Sequence, residues 1–273
     1  MIVQSAPEGE AHFIIKQVDH ADTSGQFARV FGNADFAILH PQALMEYVIT
    51  HHDDGWREVD DASGLDAKTR LPNHLTQTPT LILAHTSGTT PARNESHHPF
   101  CGVISSMHSW GLYHGRYGLS DKIYIDMIAE EHRGKVDEML QGELDRQARL
   151  KDVLKANPET TNWADDDFLF MNYKLLQFFD TLALYFQTVH PSYHVETQFK
   201  SVPASAEKDE MLTLKPLGDD VYSLSPYPFG VEEVAFYTVG RNIAPFAEGE
   251  SPDLTQVMIE TPVERQAFKI VAG

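Results

Sequence analysis

The stretch His51-His52-Asp53-Asp54-Gly55-Trp56 decides the reading of this chain. His52 and Asp53 set a neutral imidazole beside a hard carboxylate, a mixture that suits a borderline to hard divalent cation. Successive helical residues diverge by about 100°, so both can reach one ion only at a helix end or on a helix facing a crowded centre. Pro41 fits a first helical position, Leu44, Tyr47 and Val48 follow at helical spacing, and Gly55 is the stop. The doublet therefore sits at the end of a helix. It cannot fill a coordination sphere alone, so other ligands must come from elsewhere in the chain.

Asp180 is the second signal. It lies in Leu175–Phe186 (LLQFFDTLALYF), inside an apolar stretch from about Trp163 to Val189 that reads as the most buried helix, closed by Pro191. An uncompensated carboxylate there would cost several kcal/mol. It is therefore hydrogen-bonded to a neighbouring helix, protonated, or bound to metal, and the distant His-Asp doublet favours metal. His20 supplies a third position, in the first turn of a helix expected from an Asp19 N-cap to about Phe31. The chain has 14 histidines, so placement rather than abundance has to sort ligands from solvated or core residues.

Composition narrows the classes of function. The 273 residues are 42% hydrophobic and 10% aromatic, enough for a real core. A formal net charge of -19 disfavours nucleic acid and anionic membranes as partners. It still allows a small phosphorylated substrate, because a bound cation reverses the local sign. Cys101 is the only cysteine, which leaves no intrachain disulfide and no thiolate cage. The N-terminal residues show no basic n-region or apolar h-region, and a cytoplasmic protein is expected, with room for a homo-oligomer.

The expected fold is mainly α with a smaller β-rich C-terminal part: a helical metal-binding domain over 1–194 and a β-rich appendage over 195–273 packed on the same core. His12–Val18 is a short strand candidate, and Arg57–Pro99 reads mostly as loop. A helix follows from about Pro99 to Tyr113, with Ile104, His108 and Leu112 on one stripe, then a long charged helix that ends before Asn157-Pro158. The runs MLTLKPL, VYSLSPYPF, VAFYTVG and FKIVAG supply the late strands.

The order His20, His52-Asp53, Asp180 resembles the HD superfamily of metal-dependent phosphohydrolases. That resemblance implies an HD-domain-like helical core in which these four residues hold a divalent ion. The segments QVDHADTSGQFARVFGN, HHDDGWREVD, ISSMHSWGLYHGRYG and YPFGVEEVAFYTV are also similar to a bacterial family of HD-like proteins, DUF3891. Extra histidines between the doublet and Asp180, here His108 and His114, would complete a second ion or contact a substrate phosphate. The Asp54-Gly55-Trp56 continuation departs from HD hydrolases and puts Trp56 at a pocket wall or at the end of the core.

The implied reaction is hydrolysis of a small phosphate ester or nucleotide, assisted by one or two Mn, Fe, Co, Ni or Zn ions. His20, His52, Asp53 and Asp180 are the expected ligands. Asp53 and His108 are the expected catalytic pair, with Asp53 orienting water and His108 stabilising developing charge. Asp54, Trp56, His114 and Arg116 are expected at the substrate, Arg116 as a bidentate clamp or in a surface ion pair. His108 reads equally as a core histidine. Two other functions compete: a non-catalytic metal or ligand sensor, and a di-iron oxygenase on the same kind of core.

Overall fold

The computed structural model describes residues 1–61 and 64–273. Its first helices are α1 (Gln17–Ala28), α2 (Gln42–Thr50), α3 (Arg57–Asp61) and α4 (Thr80–His97). They are followed by α5 (Pro99–Tyr113), the single turn α6 (Gly115–Gly118), α7 (Glu130–Ala156), α8 (Asp166–Thr188) and α9 (Leu254–Glu260). The strands are β1 (Ile2–Val3), β2 (His12–Ile15), β3 (Thr197–Pro203), β4 (Asp209–Gly218), β5 (Val221–Ser225), β6 (Glu233–Ile243) and β7 (Glu264–Ala272).

Helix α8 is the buried centre that its apolar sequence predicts. Asp165 caps it, accepting from the N–H groups of Asp167 and Phe168, two of the donors that a helix start leaves open. Its Phe178, Phe179 and Phe186 share one core with Phe27 and Phe31 of the first helical segment and with Phe236 and Phe268 of the sheet. Helices α1, α2 and α5 contact α8 directly, while α7 packs outside against α4 and α5.

The sheet overturns the mainly α expectation. Among the described residues seven strands run in the order β1-β2-β6-β7-β5-β4-β3, antiparallel except for the parallel β5–β7 pair. The helices therefore share the molecule with a large mixed sheet rather than carrying a small β appendage. The reason is long-range pairing: β2 joins β6 with His12 opposite Ile243 and Ile14 opposite Arg241. A four-residue run such as HFII announces a strand, but nothing local in it names a partner at the far end of the chain.

A second correction concerns Arg57–Pro99, most of which was expected as loop and which contains the 18-residue helix α4. Its sequence, TLILAHTSGTTPARNESH, is rich in residues of low helix propensity and carries Pro91 inside. Packing overrides propensity here: Ala84, Thr86, Thr90, Pro91 and Asn94 are buried. The neighbouring helices come very close, for a Cβ on Gly102 would lie 2.8 Å from Glu95 Cβ and 2.7 Å from a Leu150 methyl. Among the described residues no helix is long and apolar enough to cross a membrane.

Candidate metal centre

Helix α2 stops at Thr50, and the chain turns through His51 (φ -118°, ψ 17°) and Asp53 (φ -119°, ψ 20°) into a short 3-10 segment at Asp54–Trp56. The break from helical geometry lets the neighbouring His52 and Asp53 side chains face one point, as an ending helix requires. Two glycines fix the approach. A Cβ on Gly25 of α1 would lie 2.1 Å from Thr50 Oγ1, so this glycine lets α1 and α2 close up. Gly55 donates its N–H to Thr90 Oγ1 at 2.9 Å, and a Cβ there would meet Thr86 O at 2.5 Å.

Around the doublet the structure gathers His20 from α1, His108 from α5 and Asp180 from α8. One donor atom from each of His20, His52 and Asp180 lies within 4.8 Å of the others, and the same holds for His52, Asp53 and His108. The imidazoles of His20 and His52 stand edge-on at 5.1 Å between centroids, and those of His52 and His108 at 5.2 Å. All three histidines and Asp180 are buried. Asp53 keeps 13% side-chain exposure, which makes it the donor most open to solvent.

The partners behind these groups decide which nitrogen faces inward. His52 Nδ1 donates to Ile49 O at 2.7 Å, so its Nε2 is a lone pair, and that buried atom has no hydrogen-bond partner. His20 Nδ1 lies 2.6 Å from Gln187 Oε1. The Gln187 amide is oriented by its own donation to Thr23 Oγ1 at 3.0 Å, whose hydroxyl donates to Asp19 O at 3.1 Å. Gln187 therefore receives the His20 Nδ1 proton, and His20 Nε2 points at Asp180 Oδ1, 3.2 Å away. Such outward anchoring of the second ring nitrogen is how ligating histidines are held. His108 differs: Gln177 Nε2 donates to its Nδ1 at 2.7 Å, which leaves its proton on Nε2.

The charges follow from this geometry. Burial works to raise the Asp180 carboxyl, but the His20 hydrogen bond, then Arg116 and His52, outweigh it and hold the group well below the usual carboxylate range. Burial opposes an imidazolium at His20, yet the hydrogen bond and charge of Asp180 prevail and raise it above its ordinary value. Burial also pushes the Asp53 carboxyl up and the His108 imidazole down to about 3. Without an ion, a proton held between His20 and Asp180 compensates the buried Asp180 carboxylate; a divalent cation would displace it, as ligand deprotonation requires.

Two trios of donors are spaced closely enough for such a cation, His20 with His52 and Asp180, and His52 with Asp53 and His108; Asp53 falls in a trio with neither His20 nor Asp180. Ligands about 2.1 Å from a shared ion lie roughly 3 to 4.2 Å apart. His52 Nε2 is 3.8 Å from Asp53 Oδ2 and 3.9 Å from Asp180 Oδ1, and the orphaned His52 nitrogen gains a partner only if something sits between them. Mixed imidazole and carboxylate donors suit a first-row transition ion.

The remaining expected residues divide. Arg116 reaches the centre, with Nη2 at 3.4 Å from Asp180 Oδ2. Asp54 is drawn away into pairs with Arg57 at 2.9 Å and His51 at 3.2 Å. His114 stacks on Trp110 at 3.7 Å and its Nδ1 bonds the Trp110 carbonyl. Trp56 is buried at 7% exposure, an end of the core rather than an open wall.

Gln177, Gln187 and Thr23 join the centre only in the folded structure. A signal existed for the two glutamines, which lie three residues before and seven after Asp180 on the same face of an apolar helix.

The family profile described as "Protein of unknown function (DUF3891)" matches residues 1–244. The chain belongs to the DUF3891 family. That match spans every residue of the candidate centre in this DUF3891 protein. No curated protein and no solved structure matches the chain.

Proposed function

We propose that this DUF3891 protein is a metal-dependent phosphohydrolase of the HD-like kind, acting on a small phosphate ester or nucleotide. The observation that carries the reading is the orphaned His52 Nε2, aimed between Asp53 and Asp180 with its Nδ1 already committed to Ile49 O. His20, His52 and Asp180 would hold one ion, since His52 has a single free nitrogen to give, with Asp53 beside it on the His108 side. Such a cation supplies Lewis acidity, polarising a phosphoryl oxygen and acidifying water.

The protein's own groups supply the rest. Asp53, raised by burial and the most exposed of the donors, orients water and takes its proton at a carboxylate oxygen. His108 stays neutral at pH 7 and presents Nε2–H, a hydrogen-bond donor for charge that develops on the phosphoryl group. Arg116 fixes Asp180 by its Oδ2, leaving Oδ1 toward His20 and His52.

One observation favours a second reading, a metal-binding sensor without turnover: four of the five central residues are under 5% exposed. Phosphatase assays with p-nitrophenyl phosphate and nucleotides, with and without Mn, separate the two. Metal uptake with turnover that disappears in a folded Asp53→Ala variant supports hydrolysis. Metal uptake with no turnover on any phosphate ester supports the sensor, and no metal uptake sinks both.

A further inference from the structure

A groove of 470 Å³ runs between α8 and β3 and ends at Arg116, beside the centre. Its composition is unusual for this chain. Of 273 residues 40 are Asp or Glu, yet none of the residues lining the groove is acidic, while Arg116, Lys174 and Lys200 are all present. Lys174 is neutralised by Asp209, with Nζ 2.5 Å from Oδ1. Lys200 lies exposed on β3, with no ion pair among the described residues. On a chain of net charge -19, a cleft whose lining carries no acidic residue and whose Lys200 is unpaired among the described residues attracts anions that the rest of the molecule repels.

The groove also meets the centre through residues that serve both. Arg116 lines it and bonds Asp180, and Gln177 lines it and bonds His108. Arg116 is held there by an uncommon backbone. The four residues of α6 all have positive φ: Gly115 61°, Arg116 51°, Tyr117 56° and Gly118 88°. For Arg116 and Tyr117 that region costs roughly 1–2 kcal/mol each, and strain of this kind gathers at sites that position a ligand. The turn is closed by Ser120 N–H donating to Gly115 O at 3.0 Å.

We propose that the groove between α8 and β3 is the access and recognition channel for a small phosphomonoester, whose dianionic end is received by Arg116 beside Asp180 while Lys200 attracts it at the rim. The proposal rests on the phosphohydrolase reading of the centre and names its substrate channel. Thr181, next to Asp180 in sequence and half-buried on the groove wall, is where a large side chain would close the passage.

The test is calorimetric titration of inorganic phosphate into Mn-loaded and metal-free protein, with Mn content measured in parallel. In the Mn-loaded protein, Lys200→Glu is expected to weaken phosphate binding about fivefold and Arg116→Gln at least tenfold. Thr181→Trp is expected to abolish it, with one equivalent of Mn retained in Lys200→Glu and Thr181→Trp. Phosphate affinity unchanged within twofold in both Lys200→Glu and Thr181→Trp, at full Mn content, overturns the channel, as does a Mn-loaded wild type that binds no phosphate. A protein that takes up no Mn, but whose phosphate binding still responds to Lys200→Glu and Thr181→Trp, keeps the channel and rejects the metal reading.

Discussion

His52 Nε2 faces Asp180 Oδ1 across 3.9 Å, and no hydrogen bond joins them. That spacing is too long for a hydrogen bond and falls within the span of two ligands on one ion. His52→Ala and Asp180→Ala are therefore expected to reduce bound transition metal from about one equivalent to below a tenth, measured by elemental analysis after reloading. His51→Ala is the control. Its half-exposed ring packs against Tyr47 at 4.3 Å and 35°, outside the cluster, and the variant should keep its metal. Equal losses in all three would reject the assignment of His52 over His51.

The Gln187 amide lies behind His20, on the side away from Asp180, yet it dictates the tautomer of His20. Gln187→Leu leaves the His20 Nδ1 proton without an acceptor in a site where Gln187 is fully buried. Loss of such an outer partner weakens metal binding by roughly 10- to 100-fold. Competition with a chromogenic chelator would measure it, and an affinity within twofold of wild type would show that His20 is not a ligand.

Much of the site was legible because burying charge is expensive. Asp180 in an apolar helix and a His-Asp doublet before a glycine stop advertise themselves by residue type alone. His114 and Asp54 misled because a turn residue can face either way, and each found a local partner, Trp110 and Arg57. Helix α4 and the β2–β6 pairing were hidden for a common reason. Both depend on contacts between distant segments, Gly55 against Thr86 and Thr90 in one case and His12 opposite Ile243 in the other, and neither leaves a mark in local periodicity.

The Gly25 contact offers a test of how fold and site are coupled. Alanine is favoured over glycine in a helix by about 1 kcal/mol, so Gly25→Ala would stabilise an unhindered helix. Here the new Cβ meets Thr50 Oγ1 at 2.1 Å and Thr50 Cα at 3.3 Å. Overpacking of this sort costs roughly 1–3 kcal/mol and should win, lowering the urea midpoint. Because α1 carries His20 and α2 leads to His52, metal affinity should fall with it. A variant more stable than wild type would mean that the helices part without penalty.

Glu143 of α7 tests burial of charge away from the centre. It is 2% exposed, and burial raises its carboxyl above the ordinary value despite Ser106 and the Arg146 guanidinium, whose Nε lies 3.1 Å away. A raised folded-state value means that the folded protein holds this proton more tightly than the unfolded chain. The corresponding stability is fully present below the unfolded value of about 4.3, and it is lost as pH rises through the raised one. Glu143→Gln is neutral at every pH, so its stability relative to wild type should increase between pH 4.5 and 7, by at most about 1.4 kcal/mol per pH unit. Urea unfolding of both proteins with metal chelated reads the difference, because protonation of the centre is then common to the two. A gap that stays constant, or narrows toward neutral pH, would show that Arg146 outweighs desolvation and that Glu143 is buried as a stable anion.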